Sequence, residues 1–437
     1  MDQKMNASAR YDVCVFDLDG TLTQSGIGIG RSVRYALEKM GRPTPDEDVL
    51  RRYIGPPLLE SFMQIDGMDE PDARRAVEIY RERYNTVGWR ENAVYPGIGT
   101  LLRALKARGV FVAVATGKPT GVASDILAGF GLDLYVDKLV GPHPDDHHAD
   151  KAALIAEALP EGAVHPCMIG DRGGDVEGAR ALGIDGIGVL YGYGGRSELE
   201  AAGATCLAED VSALSGLLLG DDPVNRGLFI SVERPDGSGK STQLTQASEM
   251  LTAWGYDVTL TREPGGCPIS ERIREIILDV GSAGMTAECE TLLYAASRAQ
   301  HVAQVIRPAL ERGAIVLCDR FVDSSMAYQA YGRRMGEDVI ARINEPATGG
   351  LEPDLTLFYD MSPEAAMSRR RSASVPDRME RENEDFVLRV YDGFQRVVRE
   401  NPRRVRRVDA SGTVEEVFDQ TRELLRSALA VGKTKKL

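Results

Sequence analysis

A chain of 437 residues is too long for one ordinary domain and, at roughly 100–200 residues each, is expected to hold two or three. Its 43% apolar content suits real cores, but no apolar run reaches the ~18 residues of a membrane span and MDQKMNASAR has no apolar stretch for a signal peptide, which excludes a membrane role and predicts a cytoplasmic protein. The formal net charge of -14 disfavours non-specific contact with nucleic acid or anionic lipid, and leaves phosphorylated small molecules open, because arginines and Mg2+ reverse the field locally.

After an N-terminal tail over residues 1–10, the first expected strand is Val13-Cys14-Val15-Phe16. It runs into Asp17-Leu18-Asp19-Gly20-Thr21-Leu22. Two carboxylates two apart at the end of a buried strand suit paired work. Asp17 would attack phosphorus to give an aspartyl-phosphate, and Asp19 would protonate the leaving oxygen and later activate water. The mostly helical stretch over about 25–94 reads as a cap. Residues 110–115 read as a strand leading to Thr116, whose hydroxyl can hold a phosphoryl group. Lys151 opens a helix over 152–159 and can neutralise phosphate charge. Ile169-Gly170-Asp171-Arg172-Gly173-Gly174-Asp175 is another strand end, with two carboxylates suited to Mg2+. His143, His147 and His148 crowd a loop with Asp145 and Asp146; without matching ligand spacing elsewhere they read as a solvated loop.

In order and spacing these elements resemble the haloacid-dehalogenase-like phosphatases. The likeness spans about residues 11–217 and extends to Gly55-Pro56-Pro57-Leu58 and Tyr191-Gly192-Tyr193-Gly194. It implies a Rossmann-like sheet under a helical cap, over domain limits of 11–218. It also implies Mg2+ held by Asp17, a backbone carbonyl of Asp19, and Asp171, with Asp175 in support. Phosphoglycolate phosphatases and 5′-nucleotidases share the pattern, so the implied substrate is a phosphomonoester chosen by the cap.

The segment 219–226, broken by Gly220 and Pro223, reads as a linker. The next strand, Leu228-Phe229-Ile230-Ser231-Val232, stops at Glu233. Asp236-Gly237-Ser238-Gly239-Lys240-Ser241-Thr242 then precedes a helical stretch. In that setting it is a phosphate-binding loop for ATP. Backbone N–H groups wrap the phosphates, Lys240 reaches the β- and γ-phosphates, and Ser241 holds Mg2+. The full pattern asks for Gly where Arg234 stands. Pro235 pushes Arg234 to extended backbone, with its side chain expected to point outward. Weakened ATP binding is the alternative. The cysteines Cys14, Cys167, Cys206, Cys267, Cys289 and Cys318 are scattered without a Cys-x-x-Cys pair and read as buried free thiols.

Ordered segments follow: Thr261-Arg262-Glu263-Pro264-Gly265-Gly266, Tyr294 to Arg298 within a helix over 292–310, a strand over 314–317, then Asp319-Arg320-Phe321, Ser324-Ser325-Met326-Ala327-Tyr328-Gln329, Glu352-Pro353-Asp354 and Asp377-Arg378-Met379-Glu380. In this order, over nearly all of 227–430, they resemble thymidylate kinases. The resemblance implies a P-loop kinase fold over 227–432, ATP-Mg2+ as phosphoryl donor and dTMP as acceptor. Tyr294 and Arg298 share a helix face and match the family's base-stacking aromatic and nucleotide-contacting arginine. Arg274 and Arg320 match the grip on the dTMP phosphate. Asp236 and Glu263 match acidic residues near the acceptor, and Ser325 and Gln329 match polar contacts to the base. Asp319 ends a strand and suits a Mg2+-linked role. Ser362 suits a helix N-cap with Pro363 behind it, opening a lid helix in which Arg369 and Arg371, ahead of Arg370, would stabilise the migrating charge. The family suggests a homodimer through the kinase domain. Arg403, Arg404, Arg406 and Arg407, and the basic tail over 433–437, read as solvated faces.

Alternating strands and amphipathic stretches thus predict two doubly wound parallel-sheet α/β domains, joined as a phosphatase and a kinase with no nucleic-acid or membrane partner. Two alternatives stay open: a first half that only binds or regulates, and a kinase impaired by Arg234. Hydrolysis of dTMP would undo the kinase, so the cap is expected to reject dTMP in favour of phosphoglycolate or another nucleotide.

Overall fold

Short runs of apolar and β-branched residues, too continuous for a half-exposed sheet, build two parallel sheets buried on both faces. The structure, a computed structural model, describes residues 10–142, 150–220, 227–234, 242–365 and 378–430. Two compact units divide the chain, one carrying each sheet.

The first sheet contains β1 Val13–Phe16, β2 Phe111–Ala115, β3 Lys138–Val140, β4 Pro166–Gly170, β5 Asp185–Val189 and β6 Cys206–Ala208. Its order is β3-β2-β1-β4-β5-β6, and every neighbouring pair is parallel. Strand order reverses between β1 and β4. Ligands of such sheets gather in the crevice at the carboxyl ends beside that reversal, and Asp17 and Asp171 stand there, one residue past each strand. All four residues of β1 are buried. Val15, Ala113, Ile155 and Met168 pack in one cluster of this core.

Between β1 and β2 the chain forms helices Gly26–Lys39, Glu47–Arg51, Leu58–Ile65 and Glu70–Tyr84. The carboxylates of Asp46 and Asp69 cap the second and fourth by accepting from Val49 N–H and Asp72 N–H. Val33, Leu37, Phe62, Ala76 and Tyr80 form a core of their own, so this stretch is a self-packed cap.

The second sheet contains β7 Leu228–Glu233, β8 Val258–Arg262, β9 Ile315–Asp319, β10 Leu355–Asp360 and β11 Val405–Asp409. Its order is β11-β10-β7-β9-β8, again wholly parallel. β7 is buried throughout, whereas edge strand β8 is partly exposed. The helix expected over 292–310 starts earlier: Ala287–His301 is regular, the turns widen over Val302–Ile306, and Arg307–Glu311 completes it. Thr286 caps it by accepting from Cys289 N–H.

Three expectations change. Cys289 is exposed and Cys206 half-exposed, because Cys289 sits in the first turn of a surface helix. Arg404 is not merely solvated. It grips Asp323 with both terminal guanidinium nitrogens, at 2.6 and 2.8 Å, because the loop that leads into β11 passes beside the buried Asp323. Arg407 likewise pairs with Asp360.

Phe229 is fully buried and meets Phe321 edge-on, with centroids 4.9 Å apart. Phe229→Ala should therefore destabilise the second unit by ~3–5 kcal/mol, read as an earlier midpoint in chemical denaturation.

Candidate active sites

In the first unit, Asp17 N–H donates to Ile169 O at 2.8 Å, which locks the first carboxylate beside β4. Asp171 is fully buried and Asp175 nearly so. Oxygens of Asp17, Asp171 and Asp175 lie within 4.8 Å of one another. Asp171 accepts from Tyr193 N–H at 2.8 Å and from Thr21 Oγ at 3.3 Å. Asp175 sits in the first turn of helix Gly173–Ala181 and accepts from Arg172 N–H at 3.1 Å.

Such crowding raises the proton affinity of the cluster. Burial first, then Asp175, lifts Asp171 to about 7, against the opposing Tyr193 N–H. Burial also pushes Asp17 well above the ordinary carboxylate range, with Asp175 and Asp171 adding to it and Lys151 opposing. Lys151 Nζ lies 2.6 Å from both Asp17 and Asp175 and donates to Ala115 O at 2.9 Å. Burial alone would lower its pKa, but those two carboxylates raise it. Backbone space is tight here too. Gly20 has φ +86°, and a Cβ on it would lie 2.2 Å from Asp171 Oδ2.

The structure thus brings Asp17, Lys151, Asp171 and Asp175 together, with buried Thr116 at the end of β2. Asp19 lines the same cavity as Asp17 and Lys151, and its carboxylate pairs with Lys118 at 2.9 Å. Sequence reasoning missed Lys118. It also donates to Tyr84 OH at 2.8 Å, with Nζ 4.7 Å from that ring. Its position two residues beyond Thr116, in Thr-Gly-Lys, was the available signal. Three buried carboxylates within reach of one another form an all-oxygen donor set that fits Mg2+.

In the second unit one pocket of about 110 Å3 is lined by Glu263, Arg274, Tyr294, Arg298, Arg320, Ser325 and Gln329. These are all the sequence-expected acceptor residues except Asp236. Asp236, Gly237, Ser238, Gly239, Lys240 and Ser241, with lid residues Arg369, Arg370 and Arg371, lie outside the described residues. So do His143, His147, His148 and Asp377. Thr242 begins helix Thr242–Ala253. Ser362 accepts from Ala365 N–H at 3.3 Å, as an N-cap should.

Buried ion pairs fix the pocket wall. Arg298 Nε donates to Glu263 at 2.7 Å, and another of its nitrogens to Ser325 Oγ at 3.0 Å and to Asn344. His301 Nδ1 lies 3.0 Å from Glu263, and its Nε2 lies 2.7 Å from Thr261 Oγ. Arg274 reaches Pro264 O at 2.8 Å. Arg320 adopts φ +71°, a conformation that costs a non-glycine residue about 1–3 kcal/mol. Its guanidinium stands 5.2 Å from the Tyr328 ring centroid. Gln329 donates to Glu290 at 2.9 Å, and Glu290 also receives Arg333 and Arg378, each at 2.8 Å. Burial would raise the Glu290 pKa, yet these donors hold it below its usual value. Glu290, Tyr294 and Arg298 fall four apart on helix Ala287–His301, a stripe that the sequence contained.

Asp319 stands apart from this pocket. Its Oδ2 receives Arg234 at 2.7 Å, and its buried Oδ1 has no hydrogen-bond partner among the described residues. Arg234 keeps a negative φ, as Pro235 predicts, but does not point outward. Val232 pairs with Asp319 across β7 and β9, and the neighbouring carboxylate draws the guanidinium in.

Residues 232–421 match the family model for thymidylate kinase, and residues 14–189 that for haloacid dehalogenase-like hydrolase. A thymidylate kinase of Exiguobacterium sp. is 52% identical over 203 residues, covering 46% of this chain and 96% of that protein. One from Finegoldia magna is 46% identical over 199 residues, covering 46% of this chain and 98% of its own. A predicted phosphatase from Clostridium acetobutylicum is 40% identical, covering 47% of this chain and 96% of its own, with a TM-score of 0.45. No described helix is long and apolar enough to cross a membrane.

Removing Glu290 would strand the buried Arg378 guanidinium and leave half-buried Arg333 with Glu382 alone. Glu290→Ala should lower the stability of the second unit by ~3–5 kcal/mol, measured by denaturant unfolding, and Glu290→Gln by less.

Proposed function

We propose that this chain, which belongs to the thymidylate kinase family through its second unit and carries a haloacid dehalogenase-like hydrolase domain ahead of it, is a bifunctional enzyme that phosphorylates dTMP from ATP and hydrolyses a phosphomonoester. The observation that carries the kinase reading is the convergence of seven acceptor residues on one pocket. Arg274 and Arg320 supply paired cations for the dTMP phosphate. Tyr294 offers a ring to the base. Arg298, held by Glu263, keeps a fixed orientation and so contributes without losing side-chain entropy on binding. The loop of Asp236 to Thr242 would cradle ATP, with Lys240 on its terminal phosphates, and Arg369 and Arg371 would meet charge on the migrating group. Mg2+ bound with ATP would neutralise phosphate charge, with Ser241 as its ligand.

In the first unit, Asp17 attacks phosphorus and forms the aspartyl-phosphate while the P–O bond to the alcohol breaks. Asp19 gives its proton to the departing oxygen, then takes one from the water that attacks the phosphorus and frees Asp17. Lys151 and Thr116 hold the phosphoryl oxygens. Mg2+ held by Asp17, Asp171, Asp175 and the Asp19 carbonyl would offset repulsion between the anionic nucleophile and phosphate. The paired Lys151 and the close carboxylate cluster favour catalysis over a purely regulatory module, since such buried like charge is costly to keep without use.

The Arg234–Asp319 pair favours one second reading, a kinase slowed at its phosphate loop. ADP formation with ATP, Mg2+ and dTMP tests both. The parent should turn over in a dTMP-dependent way, and Arg234→Gly should lower the KM for ATP. Activity confined to Arg234→Gly would establish the impaired kinase, and no activity in either folded protein would overturn the kinase assignment.

For the hydrolase, Asp17→Asn should lower phosphate release at least about a hundredfold. Chelation should abolish release, and added Mg2+ should restore it. Undiminished release from Asp17→Asn would remove Asp17 as nucleophile.

A further inference from the structure

A cavity of about 580 Å3 lies between the cap and the Asp17 crevice of the first unit. That is within the range of roughly 300–1,000 Å3 typical of sites for whole organic ligands. A phosphoryl group with a two-carbon acid would fill a small part of it, because one water already accounts for about 30 Å3 of liquid.

The cavity wall changes character from floor to roof. Its floor is charged, with Asp17, Asp19, Lys118, Lys151, Arg172 and Asp175. Its roof is apolar and aromatic, with Ile29, Leu58, Leu59, Val77, Tyr80 and Tyr84. The Tyr80 and Tyr84 rings are stacked, with centroids 5.2 Å apart and planes 14° from parallel. Tyr84 OH is already bonded to Lys118, and the hydroxyl of Tyr53, also on the wall, to Asp66. With those hydroxyls engaged and the residues only 3% and 2% exposed, these two tyrosines offer a ligand apolar contact over a small area. Among the described cap residues lining the cavity, Arg81 is the one cation.

Such a roof matches a poor site for a small carboxylate, which would leave most of the apolar wall against water. It matches a ring well, because a planar group buries the most apolar area for the fewest frozen rotors.

We propose that the phosphomonoester hydrolysed by the first unit carries a ring-bearing body of nucleoside size, covered by the Tyr80–Tyr84 face while its phosphate sits at Asp17. The inference rests on the hydrolase reading above. It makes Tyr80 and Leu58 specificity-determining residues.

The test is phosphate release by the full-length protein, without ATP, over two sets of substrates. One holds uridine and adenosine 5′-monophosphates and pyridoxal phosphate; the other holds phosphoglycolate and glycerol 3-phosphate. The best ring-bearing ester should exceed the best small one at least about tenfold in kcat/KM, mainly through KM. Tyr80→Leu should raise KM for ring-bearing esters about fivefold or more, and by a clearly smaller factor for phosphoglycolate. Leu58→Asn, on the half-exposed part of the wall, should give the same split if Tyr80→Leu fails to fold. Equal or better turnover of the small esters would overturn the inference and leave the hydrolase standing. So would variants that raise both KM values alike. Failure of both sets in the folded parent would remove the hydrolase reading itself, and this inference with it.

Discussion

Lys151 is the contact on which the first site depends. Three carboxylates converge at the ends of β1 and β4, out of water, where their mutual repulsion is strong. Without a cation the cluster would take up protons or spread apart. Lys151 reaches two of the three carboxylates and the end of β2 at once. It can do so because Asp150 caps the helix it opens, accepting from Ala152 N–H, which fixes where that first turn begins. Sheet order, helix cap and charge balance therefore converge on one ammonium group. In the proposed reaction the same group meets the phosphate, so the residue that makes the cluster tolerable would also bind the anion.

The second site solves the same problem with arginine. Glu263 is shared by Arg298 and His301, and Glu290 by Arg333 and Arg378. A guanidinium offers several donors in a plane, so one Arg298 can satisfy Glu263, Ser325 and Asn344 together. Each buried charge is thereby paired, and the acceptor pocket has a wall that needs little rearrangement to receive a ligand. The strained backbone of Arg320 belongs to the same arrangement. Phe321 N–H and Ser324 Oγ both bond buried Glu233, which holds the chain in that conformation.

Much of this was legible in the sequence, for identifiable reasons. Strand ends such as Phe16-Asp17 and Gly170-Asp171 are readable because a fully buried parallel strand is an unbroken apolar run. The helix stripe of Tyr294 and Arg298 follows from a fixed period. Lys118 was not legible as a partner of Asp19, since that contact joins two separate strand-end loops. The network around Glu263 was hidden likewise: its members come from β8, three helices and a turn. The cap wall was only partly legible: the Tyr80–Tyr84 pair lies four apart on helix Glu70–Tyr84, but its place over the Asp17 crevice follows from how the cap folds back. Its dimensions give no support to the expectation that the cap excludes dTMP, since a space that admits a nucleoside admits that one.

Arg234 shows how one residue can depart from a motif without erasing it. The usual objection to a side chain at that position is a left-handed backbone, and Arg234 is not among the described non-glycine residues with a positive φ. What remains is electrostatic. Arg234 and Asp319 are 18% and 24% exposed, which places their pair between a surface bridge and a buried one. A surface bridge is worth about 0–1 kcal/mol, and each 1.4 kcal/mol is a factor of about ten in affinity. The pair therefore competes with a ligand for the Asp319 carboxylate by roughly that order, while the guanidinium set free is itself attractive to phosphate. These two effects oppose each other. Substitution of Arg234 and of Asp319 should accordingly shift ATP binding in opposite senses, which separates a competing ion pair from a blocked loop.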